Sequence, residues 1–173
     1  MTAVYRLRQG ARALLAFSHP VDLELAREHL SPALFALFER LQRSEQAHSL
    51  NVLRSVLAQG DTPPELAAAA LLHDCGKVRW RLRIWQKTLA VLVRKGAPAL
   101  FQRWSRGDAR NFWVRPFVVS EQHAAWSGEL LAAAGAPEAV VWLGTHHADP
   151  LEGWYDHPYA ELLGRLQAAD NAN

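Results

Sequence analysis

Apolar residues recur at three- and four-residue spacing along most of this chain, and the alternating pattern of a half-buried β-strand is nearly absent. Spacing of this kind gathers apolar side chains on one face of an α-helix. Such faces are buried when helices pack against one another. We therefore predict an all-α protein, folded as a compact helical bundle.

Residues that begin and end helices divide this pattern into segments. Ser31-Pro32 is a typical helix start, while Gly60–Pro64, Gly96–Pro98 and Gly135–Pro137 are typical breaks. Two stretches, 105–116 and 148–158, are predicted to be loops. The predicted helices cover 32 to 41, about 44 to 58, the prolines at 63 and 64 to His73, about 81 to 95, a short segment after Pro98, about 118 to 134, 138 to 146 and 159 to 170.

Length and cysteine content favour one cytoplasmic domain. A chain of 173 residues can bury a substantial core, and no clear linker interrupts it. Cys75 has no cysteine to pair with, as is usual in a reducing compartment. The apolar run Ala11–Phe17 is interrupted by Arg12 and is followed by acidic residues, so we do not expect a signal peptide. No apolar run approaches the roughly 18 residues of a membrane span.

Charge is concentrated in residues 76–116. This stretch carries 11 of the 19 lysines and arginines against one acid, Asp108, together with four of the seven tryptophans. A local cationic field favours anionic ligands although the formal net charge is only +2. The segment could be a lid that binds phosphates and stacks on bases, a helix at 81–95 that lies on an anionic membrane, or a helical hairpin that covers the core.

An adjacent histidine and aspartate, His73-Asp74, stand at the end of an alanine-rich apolar segment, directly before Cys75-Gly76-Lys77. Imidazole and carboxylate groups bind divalent transition metals, and helical bundles build metal sites from facing helices. Other candidate ligands are spread over several predicted helices. The full set is His48, His73, Asp74, His123, His146, His147 and Asp170.

The ordered set resembles the HD-domain superfamily of metal-dependent phosphohydrolases. The matching residues are His48, His73-Asp74 and Asp170, and Cys75–Lys77 matches the variant in which an apolar residue, Gly and Lys follow the HD pair. Gln122–Gly128 and Thr145–His147 are similar to the extra histidine segments of subfamilies with two metals. The resemblance covers about residues 44–170. It implies a single HD domain over 1–173, with an insert at 76–116 and an N-terminal extension at 1–43.

The resemblance also implies a site. His48, His73, Asp74 and Asp170 would hold one ion, and Asp74 would bridge to a second ion held by His123 and His146. His147 would be a further ligand or a substrate contact. Two divalent ions, Fe or Mn first and Co, Ni, Zn or Mg as alternatives, would hydrolyse a phosphoester or phosphoanhydride through a hydroxide between them. Asp74 and Lys77 would be the catalytic residues; alternatively, Lys77 only caps a helix end.

Relatives that hydrolyse cyclic di-GMP carry a contiguous Gly-Tyr-Pro, which residues 148–158 lack. Similarity to small HD proteins that hydrolyse dinucleoside tetraphosphates suggests a nucleotide-like or other phosphorylated small-molecule substrate, and no duplex nucleic acid is expected. Two other functions remain open. HD-like domains that have lost ligands act as regulatory or binding modules, and a few di-iron relatives are oxygenases. The remaining histidines, His19, His29 and His157, are interpreted as surface or structural groups.

Overall fold

The computed structural model describes residues 21–173, and within this range the chain is helical without any β-strand. The all-α prediction is therefore confirmed. The α-helices of residues 21–173 are α1 (Leu23–His29), α2 (Pro32–Glu39), α3 (Arg43–Leu57), α4 (Pro64–Leu72), α5 (Ile84–Gly96), α6 (Pro98–Ser105), α7 (Arg115–Ala133), α8 (Glu138–His146) and α9 (Ala160–Ala172). Short 3₁₀ helices occupy Cys75–Arg79 and Leu151–Gly153.

Most helix boundaries lie within three residues of their predicted positions. Ser31 caps α2, as its hydroxyl accepts a hydrogen bond from the Leu34 amide at 3.4 Å. Helix α7 starts earlier than predicted, at Arg115, because Pro116 occupies its first turn, where proline is tolerated, and does not end the preceding loop. The predictions for Ala11–Phe17, for His19 and for the first 20 residues of the N-terminal extension lie outside the described residues.

Helix α4 forms the centre of the larger hydrophobic core. Every residue from Leu66 to Leu72 is buried, because α1, α2, α3, α8 and α9 all pack against this helix. A helix that is apolar on all sides is stable in water only when neighbours surround it. Since α4 is enclosed, its carboxyl end delivers the next residues, His73 and Asp74, to the interior of the protein.

A smaller second core lies beneath α5 and α6. Ala90, Phe101 and Phe117 are its buried members, and Trp104 packs on Phe117 with ring centroids 4.8 Å apart. The two helices meet at Ala97 and cover the first half of α7. Residues 81–105 are thus anchored by few buried side chains. No helix within 21–173 is both long and apolar enough to cross a membrane.

Candidate metal centre

The His73-Asp74 pair lies where α4 gives way to the 3₁₀ helix Cys75–Arg79. His73 is 1% exposed and Asp74 is 4% exposed. Gly76 allows this turn to lie directly on α7, because a Cβ atom at this position would come within 2.0 Å of the His123 carbonyl oxygen. The Gly76 amide also donates to the Ser127 hydroxyl at 2.8 Å. The tight packing brings His123 beside Asp74.

Asp74 is the residue on which the cluster converges. Its Oδ1 is 3.3 Å from His123 Nε2 and 3.6 Å from His147 Nε2, and its Oδ2 is 3.6 Å from His73 Nε2. Two sets of atoms, each within 4.8 Å of one another, therefore share this carboxylate. One set is His48, His73 and Asp74, and the other is Asp74, His123 and His147. Each of these buried groups could hold a metal ion.

Backbone carbonyls fix the orientation of three imidazole rings. The Nδ1 atoms of His73, His123 and His147 lie 3.1, 3.1 and 2.9 Å from the carbonyl oxygens of residues 70, 119 and 144. A carbonyl oxygen only accepts, so each Nδ1 carries the hydrogen. In the neutral ring, Nε2 then presents a lone pair towards Asp74. This arrangement is how proteins hold and orient histidine ligands of metals.

Unpartnered polar atoms show that the cluster fits a cation. His73 Nε2 is buried and has no hydrogen-bond partner among the described residues. His123 Nε2 and His147 Nε2 face each other at 3.2 Å, although both rings already use Nδ1 as the donor. Two lone pairs at this distance repel unless a cation or a shared proton lies between them. The donor set of nitrogen and oxygen atoms therefore suits a divalent metal.

Asp170 and His48 close the opposite side of the cluster. Asp170, on α9, accepts at 2.8 Å from His48 Nε2, on α3, and its same oxygen is 3.6 Å from His73 Nε2. The His48 and His73 ring centroids are 5.6 Å apart. Four of the predicted residues, His48, His73, Asp74 and Asp170, are thus neighbours although they come from three separate parts of the chain.

His146 lies outside both sets of candidate ligands. Its Nδ1 is 2.7 Å from Asp149 Oδ2, and its ring packs against Trp142 and Trp154. Neighbouring residues in a helix point about 100° apart, so one histidine of the pair at the end of α8 faces the interior and the other faces away. The buried one is His147. The structure therefore places His147, whose role the sequence left open, among the candidate ligands, and it places His146, the preferred ligand, outside them.

Opposite charges determine the ionisation of the cluster. Burial raises the pKa of Asp74, but Lys77, with its Nζ 2.5 Å from Oδ2, and His73 outweigh this and lower the pKa well below its ordinary value. Burial likewise raises the pKa of Asp170, but the hydrogen bond from His48 and the nearby His73 ring outweigh burial and lower the pKa below its ordinary value. These carboxylates are therefore ionised and able to act as ligands at neutral pH.

The pKa values of His73 and His147 are shifted in opposite directions. Burial lowers the pKa of His73, but Asp74 and Asp170 raise it above its ordinary value. The pKa of His147 is lowered, chiefly because burial disfavours the charged ring. His147 is therefore neutral near pH 7 and has a free Nε2 lone pair.

A cavity of about 160 Å³ opens beside the cluster, between α3, the 3₁₀ helix, α5 and α7. Its polar lining includes Glu45, Lys77, Lys87 and His123, and its walls are mostly apolar. Glu45 is 8% exposed; it is bonded to Lys87 and lies 3.6 Å from Lys77 Nζ. Glu45 was not among the site residues predicted from the sequence. Its position one helical turn before His48 was the available signal.

Cys75 is a small packed residue. The thiol is buried against the Ser127 carbonyl oxygen at 3.7 Å, and burial raises its pKa to about 12. His157, interpreted as structural, stacks on Trp142 with ring centroids 3.9 Å apart.

The fold and the site together define an all-helical protein with a buried His/Asp cluster that could hold metal. No protein-family model, no curated protein and no solved structure matches the chain.

Proposed function

We propose that the protein is a metal-dependent phosphohydrolase of the HD type with a dinuclear metal centre. One observation carries this proposal: two sets of candidate ligands share the Asp74 carboxylate, and the Nε2 atoms of His73, His123 and His147 are directed at it. A shared carboxylate is how two-metal hydrolytic sites hold their ions close together.

In this proposal each ion has its own ligands besides Asp74. His48, His73 and Asp170 hold one ion, and His123 and His147 hold the other. Mixed imidazole and carboxylate ligation suits Fe or Mn, with Co, Ni and Zn as alternatives, whereas Mg prefers oxygen ligands alone. Bound there, divalent ions would polarise a phosphoryl oxygen and lower the pKa of a coordinated water.

Lys77 is proposed to bind a phosphate oxygen. Its side chain is 31% exposed and reaches both the Asp74 carboxylate and the cavity. Burial lowers the pKa of this amine, but Asp74 and Glu45 outweigh burial and raise it, so the group is a cation throughout the physiological range. A fixed ammonium beside the reacting phosphoryl group stabilises the charge of the transition state.

The cavity is proposed to receive the substrate. Its volume of about 160 Å³ is below the roughly 300–1,000 Å³ of typical ligand pockets, so it would hold a phosphoryl group and a small adjoining part of the molecule. Trp80 and Leu82 form part of its apolar wall. A nucleotide or another phosphorylated small molecule would extend from this cavity towards solvent.

The experiment is a hydrolysis assay on protein reloaded with Mn or Fe, using phosphomonoesters, cyclic dinucleotides and dinucleoside polyphosphates. We expect metal-dependent phosphate or nucleotide release from at least one class, reduced about a hundredfold or more in Lys77→Met that retains its metal. Metal-loaded protein without hydrolysis would support a binding or regulatory module instead. Oxygen consumption by the Fe form with a hydroxylated substrate would support an oxygenase.

A further inference from the structure

Helix α5 presents large apolar side chains to solvent. Ile84 is 62% exposed, Trp85 44%, Val91 46% and Leu92 62%. Residues at these spacings lie on one side of a helix. The inward side instead carries Gln86 and Ala90, both buried, and the partly buried Lys87. Trp85 and Leu92 therefore lie on the exposed side of α5.

Two aromatic residues of the loop between α6 and α7 extend this side of α5. The Trp85 and Phe112 ring centroids are 5.9 Å apart, and Phe112 and Trp113 are 5.4 Å apart. Phe112 is 41% exposed and Trp113 is 74% exposed. We call Ile84, Trp85, Val91, Leu92, Phe112 and Trp113 the outer apolar face. Exposed apolar side chains grouped in this way are typical of an interaction site.

Cations surround the outer apolar face. Arg81 and Arg83 are exposed just before α5, and Lys95 lies on the same side of the helix as Val91 and Leu92. Within residues 21–173, neither Arg81 nor Lys95 forms an ion pair, so both charges are available to an external partner. Residues 76–116 contain only one acid, which leaves the whole surrounding segment strongly cationic.

We propose that the outer apolar face docks on an anionic lipid surface, with its tryptophans and aliphatic side chains in the interfacial layer and Arg81, Arg83 and Lys95 at the phosphates. Tryptophan is enriched at this layer, and each lysine or arginine near an anionic leaflet adds about 1 kcal/mol. Docking of this kind leaves the protein on the surface and requires no membrane-spanning helix.

Charge argues against a second copy of the chain as the occupant. A two-fold interface places the same patch on both subunits, so it would bring the two sets of arginines and lysines together. An acidic lipid headgroup layer neutralises these charges, whereas a second copy repeats them.

The test is co-sedimentation of the whole protein with vesicles of phosphatidylcholine alone or mixed with phosphatidylglycerol. We expect binding to the mixed vesicles that weakens with added salt, and little binding to phosphatidylcholine. The double variant Trp85→Gln/Leu92→Gln keeps the charge of the protein. It should bind at least about tenfold more weakly, since it removes two apolar groups that the lipid layer would bury. Arg81→Gln/Lys95→Gln should lose selectivity for the anionic vesicles.

A matched control is available elsewhere on the surface. Leu57 is 38% exposed and Tyr155 is 67% exposed, close to the 44% and 62% of Trp85 and Leu92. Leu57→Gln/Tyr155→Gln should bind as tightly as the unchanged protein. Absence of binding to anionic vesicles would overturn the proposal. An equal loss of binding in Trp85→Gln/Leu92→Gln and in the control Leu57→Gln/Tyr155→Gln would also overturn it, as would no loss in Trp85→Gln/Leu92→Gln. If the unchanged protein is a dimer that does not bind vesicles, and only Trp85→Gln/Leu92→Gln dissociates it, the outer apolar face is a self-association surface instead. Should that variant unfold, the single variant Trp113→Gln decides by the same criteria.

Discussion

The cluster around Asp74 and the outer apolar face of α5 are opposite departures from the usual distribution of residues. In the first, ionisable groups are buried at the centre of the protein; in the second, large apolar groups are exposed to water. Both arrangements cost free energy in the isolated chain. The two regions differ in how firmly their side chains are held. Backbone carbonyls orient the buried histidines, whereas the exposed face packs on a core of few residues. A preorganised site favours a specific small ligand, and a less constrained surface favours an extended one.

The largest expected loss of stability comes from a substitution that disrupts the packing beneath the cluster. Gly76→Ala would place a Cβ atom 2.0 Å from the His123 carbonyl oxygen, and backbone on α7 has to shift. We expect the free energy of unfolding to fall on the order of 4 kcal/mol. Gly96→Ala is the control, because apart from the neighbouring backbone of α5 no atom of the described residues lies within 4 Å of a Cβ added there. Equal denaturant midpoints for the two variants would contradict the close contact.

The next prediction compares the loss of stability when one leucine in each region is truncated to alanine. Leu71 on α4 is 0% exposed and Leu92 on α5 is 62% exposed. Leu71→Ala should lower the free energy of unfolding by about 2–5 kcal/mol, whereas Leu92→Ala should change it by less than about 0.5 kcal/mol. Chemical denaturation measures both. A large loss for Leu92→Ala would mean that the outer apolar face is buried in solution.

His147, inside the cluster, and its neighbour His146, outside it, form a matched pair of variants. His147→Ala should weaken binding of one ion by about a hundredfold, because it removes a buried ligand atom, whereas His146→Ala should leave affinity nearly unchanged. Titration calorimetry with Mn on both variants measures this difference. If His146→Ala is the weaker binder, the ligand assignment is reversed.

The smallest effect concerns Cys75. Because burial raises its pKa from 9.0 to about 12, the thiolate fraction at pH 8 is on the order of 10⁻⁴, and the group is also inaccessible. We expect no reaction of the folded protein with a chromogenic disulfide reagent over an hour and one equivalent after unfolding. Rapid labelling of the folded protein would show that the turn after Asp74 opens readily.

Particular residues show how far the sequence could predict this structure. Three- and four-residue spacing and the glycine and proline breaks predicted the helices. The choice between His146 and His147 depends on the rotation of α8, which a pair of adjacent histidines does not reveal. The orientation of α5 was not predictable either, because residues 89–93 are apolar on all sides. Glu45 was missed because its position one helical turn before His48 was only weak evidence, and its contacts with Lys77 and Lys87 are seen in the structure alone.

The central claim is that Asp74 joins two metal sites. Elemental analysis of protein stripped of metal, reloaded with Mn and freed of excess ion tests it most directly, with Asp149→Ala as the control because Asp149 contacts His146 and lies outside both ligand sets. We predict about two ions per chain in the unchanged protein and in Asp149→Ala, and fewer than about 0.2 in Asp74→Ala. Two ions retained by Asp74→Ala, or none bound by the unchanged protein, would contradict the account.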